Sequence, residues 1–146
     1  ESGSDEVLAF VKKGVTAAQQ IEGGKRVVAA GIELSEYVMP GLGGRRLSRE
    51  NALETARVLN AINPDFIRIR SLALPAGTGL RGKWEQGEFE RPSDEEMVHE
   101  LRLFVESLDG IQSYVASDHI LVVEDAHERI VPWVLEFLQE GDYGTV

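Results

Sequence analysis

Helix signals recur along this 146-residue chain with short apolar segments between them, and that alternation restricts the fold more than any other feature. Ser4 is placed to cap a helix from Asp5 to Lys13 that closes at Gly14. Thr16-Ala17-Ala18-Gln19 reads as a capping box for a second helix that runs to Ala30, with Gly31 where a terminating glycine belongs. Gly23 and Gly24 inside it each cost about 1 kcal/mol relative to alanine. With Ser48 as cap, Ala52, Thr55, Ala56, Leu59 and Ile62 form the stripe of a third helix, ended by Asn63-Pro64. Ser93-Asp94-Glu95-Glu96 opens a fourth, with Val98, Leu101, Phe104, Val105 and Leu108 as its buried face and Gly110 as its stop. A last helix spans Ile130 to Gln139, with Pro132 in its first turn. Strands fit Ile32–Met39 and Phe66–Leu72, with further segments near Gln112–Ala116 and Ile120–Val123. Pro75 to Pro92 reads as a long glycine-containing loop.

Strand–helix alternation with short links predicts parallel βα units, in one domain over residues 1–146 with no internal repeat. One segment also predicts a surface. In Phe66-Ile67-Arg68-Ile69-Arg70 the isoleucines share one strand face and the arginines the other. A helix-covered face must be apolar, so Ile67 and Ile69 belong beneath helices while Arg68 and Arg70 turn into a barrel or groove. Guanidiniums there need carboxylates, a ligand anion or water. An edge strand with one wet face fits the same pattern.

The formal charge is −10, from 25 acidic against 15 basic residues, which opposes general binding to a phosphate backbone. Arg45, Arg46 and Arg49 form a local basic spot that reads as a solvated helix start. There is no cysteine, which removes disulfides, thiol nucleophiles, zinc–thiolate sites and cysteine-held iron–sulfur clusters from these residues. No apolar run reaches membrane-spanning length and no signal peptide is visible, so a cytoplasmic location without membrane contact is expected. The chain opens at Glu1 rather than at a methionine, which predicts residues upstream. His119, Glu124, Asp125, His127 and Glu128 match no strong metal-ligand spacing and read as a charged turn, and His99 reads as a surface residue. Gly77-Thr78-Gly79 lacks the rest of a phosphate loop, and no G-x-S-x-G elbow is present.

Several stretches, in order, resemble one family. Glu1-Ser2-Gly3-Ser4-Asp5-Glu6-Val7-Leu8 followed by Lys12-Lys13-Gly14-Val15-Thr16 is similar to the turn after the fourth strand of radical S-adenosylmethionine (radical SAM) barrels. Met39-Pro40-Gly41-Leu42-Gly43-Gly44 resembles the glycine-rich turn closing the fifth strand. Asn63 to Arg70 resembles the sixth strand, and Ala76-Gly77-Thr78-Gly79-Leu80 the loop after it. Ser117-Asp118-His119-Ile120 is similar to a motif in a branch of Fe–S oxidoreductases.

The resemblance implies an α/β fold, half of a TIM-type barrel with about three to five parallel strands and five helices, followed by a C-terminal extension. It implies that the whole protein binds a [4Fe–4S] cluster and S-adenosylmethionine, cleaves the latter reductively and starts radical chemistry on an unknown substrate. It places Glu1 and Ser2 near the cofactor's ribose and methionine, and Lys13 near its carboxylate. Met39 and Gly41 would approach the adenine, as would the strand end at Ile69, Ser71 and Leu72. Arg68 and Arg70 would face the substrate. The cluster needs a CxxxCxxC loop that this chain lacks, so these residues alone are expected to hold no cluster and to be inactive. The expected partners are the missing N-terminal half of the barrel and a small-molecule or unknown substrate. A second copy pairing through exposed strand edges is a further one. Two other readings stay open: a non-catalytic α/β interaction module, and a cluster-free βα enzyme that uses Arg68 and Arg70 on an anionic metabolite.

Overall fold

A computed structural model describes residues 1–117. The elements are α1 (Asp5–Phe10), α2 (Ala17–Ala29), β1 (Ser35–Val38), α3 (Gly44–Ile62), β2 (Phe66–Ile69), α4 (Gly79–Glu85), α5 (Asp94–Glu106) and β3 (Tyr114–Ser117). The strands form one parallel sheet in the order β1-β2-β3, so each strand lies beside the next one in the chain. That is the expected α/β arrangement, a piece of a βα barrel. The expected strand at Ile120–Val123, the helix at Ile130–Gln139 and the Ser117–Ile120 motif beyond its first residue lie outside the described residues.

The helix starts follow local chemistry. Thr16 and Gln19 close the capping box on α2, Ser93 and Glu96 the one on α5, and the Ser4 hydroxyl accepts from the Val7 N–H. α1 stops at Phe10 rather than Lys13 because Lys12 adopts left-handed geometry, φ 57°. The Lys12 and Lys13 amides then donate back to Ala9 and Leu8, which satisfies the terminal carbonyls. Ser48 does not cap α3. The helix starts at Gly44, Leu47 interrupts it with φ −110° and ψ 15°, and the Ser48 hydroxyl is bonded to Glu100 instead. The Pro75–Pro92 stretch is not a plain loop: Thr78 caps α4 by accepting from the Arg81 N–H, and Arg81 pairs with Glu85 one turn on.

Both early strands are shorter than expected. Leu34 N–H donates to the Asp65 carboxylate rather than to a neighbouring strand, so β1 begins only at Ser35. β2 ends at Ile69, after which Leu72 turns into a separate apolar cluster with Val7, Leu42, Leu47 and Phe89.

The main core lies on one face of the sheet. Val38, Ile67 and Ile69 pack against Ala52, Ala56 and Leu59 of α3 and Leu101, Phe104 and Val105 of α5. Ile67 is completely buried, a burial worth about 1.5–3 kcal/mol. α2 packs on the outer side of α3, with Ala17 against Val58 and Ile62. The two adjacent glycines of α2 do different things there. A methyl group on Gly24 would stand 2.7 Å from Ile62 Cγ2, whereas one on Gly23 would meet nothing. Gly24 therefore sets the α2–α3 separation, and Gly23 carries only its conformational cost. Gly23→Ala should raise stability by about 1 kcal/mol, and Gly24→Ala should lower it by about 1–3 kcal/mol. Urea denaturation of the two single variants checks both signs.

Candidate functional site

The carboxyl ends of the strands bring the expected residues to one rim. Met39 N–H donates to the Glu1 carbonyl over 3.0 Å, and Arg70 N–H donates to the Val38 carbonyl over 2.9 Å. Glu1, Met39 and Arg70 thus lie side by side across the ends of the Glu1 segment, β1 and β2. Lys13 Nζ reaches the same place and sits 2.6 Å from Glu1 Oε2. The hydrogen bond from Lys13 holds the Glu1 carboxyl below the usual glutamate range. Both side chains are well exposed, so the pair contributes at most about 1 kcal/mol and opens readily to another charge.

Ser2 faces inward. It is 2% exposed, its hydroxyl donates to Asn51 Oδ1 over 2.6 Å, and the same oxygen accepts from the Ser4 N–H. Asn51 Nδ2 in turn donates to Glu100 Oε1 over 2.7 Å. Glu100 is the hub. Oε1 also accepts from the Gly41 N–H over 2.9 Å, and Oε2 accepts from the Ser48 hydroxyl over 2.6 Å. Glu100 is 3% exposed, and no cation stands among its bonded partners in the described residues. Burial pushes it above the ordinary glutamate range, while the bonds from Ser48, Asn51 and Gly41 pull the other way. Neither Asn51 nor Glu100 was singled out from the sequence. The available signal was position: Glu100 falls between Met97 and Leu101 on the buried face of α5.

Gly41 holds φ 84°, and a side chain there would press on the Met97 sulfur at 3.1 Å. The turn is therefore packed against α5, and its backbone is bonded within the chain: Met39 to Glu1, Leu42 and Asn51, and Gly41 to Glu100 and Gly44. Ile69 and Leu72 point into apolar clusters, which leaves their backbones rather than their side chains for a ligand. Between them the Ser71 hydroxyl is buried with no hydrogen-bond partner among the described residues. An unpaired buried hydroxyl costs about 1–3 kcal/mol.

Arg68 and Arg70 lie on the sheet face turned away from α3 and α5, as the alternation predicted. Arg68 Nε donates to the Ser35 hydroxyl, and its guanidinium stands 5.8 Å from the Phe66 ring centre. Arg70 lies over the Tyr37 ring at 4.9 Å. With Tyr114, which is 66% exposed, they make a wall of aromatic rings and guanidiniums. The Arg45–Arg46 spot is paired: Arg45 with Glu90 and Glu96, Arg46 with Glu6. His99 is exposed. Among the described residues no group of acidic, histidine or cysteine side chains is arranged to hold a metal, and no helix is long and apolar enough to cross a membrane. His119, Glu124, Asp125, His127 and Glu128 lie outside the described residues.

No protein-family model matches the chain. It is 27% identical over 95 residues to the tRNA uridine(34) acetyltransferase of Methanocaldococcus jannaschii, and 25% identical over 95 residues to that of Methanocaldococcus infernus. Each match covers 64% of this chain and 18% of the relative, so the chain spans about a fifth of those proteins. Its fold matches the archaeal Methanocaldococcus infernus Elp3 with N-terminus deletion (1–46), at a TM-score of 0.63 and 23% identity. That match covers 82% of this chain and 28% of the other. The chain is similar to part of the Elp3 barrel. Elp3 is a radical SAM family member, so the comparisons reach the family that the motifs resemble.

The two cofactors of that family fit these residues unequally. A [4Fe–4S] cluster has no cysteine to hold it. S-adenosylmethionine would meet the exposed Glu1–Lys13 pair at the rim, a carboxylate for hydroxyl groups and an ammonium for a carboxylate, whereas the backbone groups of Met39 and Gly41 are already bonded within the chain.

Because the folded Glu100 carboxyl titrates above its unfolded value of 4.5, the native state keeps the proton longer than the unfolded chain does. Stability should therefore fall as pH rises from about 4.5 through the folded value, and stay lower above it. Glu100→Gln accepts from Gly41 and Asn51 and donates to Ser48, so it should abolish that fall and be at least as stable as the parent at pH 7. Glu100→Ala leaves two buried donors unpaired and should cost about 2–5 kcal/mol. Urea denaturation between pH 4 and pH 8 distinguishes the three proteins.

Proposed function

We propose that this chain supplies the later wall of a radical SAM barrel, with S-adenosylmethionine lying across the rim formed by Glu1, Met39–Gly41 and Ile69–Leu72. The observation that carries this reading is the convergence of Glu1, Met39 and Arg70 at the carboxyl ends of the strands, with the exposed Lys13–Glu1 pair beside them. Ligands in parallel α/β barrels bind at that end of the strands. When bound, S-adenosylmethionine supplies radical chemistry through reductive cleavage, with the cluster held by cysteines outside these 146 residues. The chain's own share is binding. Glu1 accepts hydrogen bonds from ribose hydroxyls, and Lys13 exchanges its exposed contact with Glu1 for the cofactor's carboxylate. The backbones of Met39–Gly41 and Ile69–Leu72 meet the adenine, and Ser71 gains a partner.

The substrate approaches the opposite wall. Arg68 and Arg70, stacked on Phe66 and Tyr37, present two guanidiniums to an anionic group inside the barrel. The relatives are named for tRNA uridine(34), which favours a nucleotide in RNA as the substrate of the whole protein. The charge of −10 assigns most phosphate contacts to other segments. β1 and β3, the outer strands of this sheet, take the rest of the barrel as their partner.

The test is made on the full-length protein, with its cluster reconstituted anaerobically. Dithionite and S-adenosylmethionine should yield 5′-deoxyadenosine and methionine. A cluster-loaded protein that makes neither sinks the proposal. Ser71→Ala adds a sharper expectation, since it deletes a buried hydroxyl with no partner among the described residues. It should raise the melting temperature and, by removing one hydrogen bond, weaken S-adenosylmethionine binding about fivefold.

A further inference from the structure

The geometry points to Glu100 as a positioning residue that holds the two cofactor-facing segments, Glu1–Ser4 and Met39–Gly44, in register with each other. This rests on the reading of the rim as a S-adenosylmethionine site. Glu100 lies on α5, whose buried Leu101, Phe104 and Val105 serve the apolar core while Met97 lies against Gly41. Its carboxylate turns instead to the rim. One oxygen accepts from the Gly41 backbone N–H and from Asn51, and the other accepts from Ser48 at the regular start of α3. Asn51 passes the link on, because its Oδ1 accepts from Ser2, whose oxygen accepts from the Ser4 N–H. The same Asn51 amide also reaches the Met39 carbonyl at 3.4 Å. A chain of hydrogen bonds therefore runs from the Glu1–Ser4 segment to the Gly41 turn, and Glu100 anchors it to α5, whose Met97 also lies against Gly41.

The choice of side chain fits this task. Three donors converge on one point, and a carboxylate is the small acceptor that takes all three with no donor of its own to place. No cation among the described residues is bonded to the buried group, which weakens it as a device for stability alone. A cavity of about 10 Å³ bounded by Glu1, Met39, Pro40, Asn51 and Glu100 adjoins the network, so the anchor reaches the back of the rim. Glu100 touches no ligand in this arrangement. It acts through Gly41 and Asn51.

The full-length protein carrying Glu100→Ala should bind S-adenosylmethionine about tenfold more weakly, the loss expected for one displaced hydrogen-bonding segment. Amide hydrogen exchange should quicken at residues 1–4 and 39–44 together. Glu100→Gln should restore affinity to within about twofold and return both segments to slow exchange. Val105→Ala, which thins the α5 core without touching the network, should lower the melting temperature but leave both segments and the affinity unchanged. The inference is overturned if a folded Glu100→Ala protein exchanges like the parent at both segments, or if Val105→Ala loosens them equally. Should Glu100→Ala not fold, Asn51→Ala cuts the link to Ser2 and must free residues 1–4 while Gly41 stays protected; unchanged exchange at residues 1–4 overturns the inference. A parent protein that binds no S-adenosylmethionine defeats the cofactor reading alone, and the exchange comparison still decides what Glu100 holds.

Discussion

Side chains of a β-strand alternate between faces, so the residues that bury one side of a parallel sheet dictate what stands on the other. Here Ile67 and Ile69 are buried under α3 and α5. The same backbone then has no choice but to present Phe66, Arg68 and Arg70 on the reverse. A slip of one residue would drive two guanidiniums into the cluster around Phe104, at a cost of several kcal/mol for each uncompensated charge. The register that pairs Tyr37 with Arg68 and Phe66 with Tyr114 carries this division across all three strands. The polar wall is thus a geometric consequence of the core. It is tolerable because the guanidiniums rest on aromatic rings and remain partly exposed.

At the strand ends the backbone leaves the ladder and its polar groups need other partners. The two ends solve this differently. At the amino ends, short side chains from neighbouring turns suffice: Asp65 accepts from Leu34, Asn63 from Gln112, and Ser113 donates to the Pro64 carbonyl. At the carboxyl ends, one buried carboxylate gathers donors from the Gly41 turn and α3. A buried charge costs more than an exposed asparagine, so the carboxyl ends are held at greater expense. The residues that would face a cofactor are at that end.

What was legible in the sequence was local. The capping boxes at Thr16 and Ser93 need only residues three apart, and both form. The Ile67–Ile69 alternation needs only a helix on one side. Ser48 misled because it stands where a cap belongs, while the break at Leu47 and the pull of Glu100 come from the surrounding fold. α4 was hidden by Gly79 and Gly82, poor helix formers offset by the Thr78 cap and the Arg81–Glu85 pair. Glu100 was invisible for a different reason. Its partners Gly41, Ser48 and Asn51 lie 59, 52 and 49 residues away, and a glutamate read by itself belongs to the wet face of a helix. Glu1, Met39 and Arg70 came together because β1 and β2 are parallel neighbours and the Glu1 segment bonds to the end of β1, not because any motif alone specifies a contact.

The likeness to Elp3 covers 82% of this chain but 28% of that one, and a βα architecture explains why so small a share still keeps its form. Each strand is buried beneath helices adjacent to it in the chain, so Val38, Ile67 and Ile69 find their core partners in α3 and α5 within the same stretch. The inner wall has no such local completion. Tyr37 and Tyr114 on it stay exposed among the described residues. The cysteines the family uses for its cluster are absent from this stretch as well. Shape is therefore decided by contacts between neighbours in sequence, whereas chemistry is assembled across the barrel from segments distant in sequence. That asymmetry is why the fold of these residues is determined locally, while the chemistry proposed for them requires segments that close the sheet.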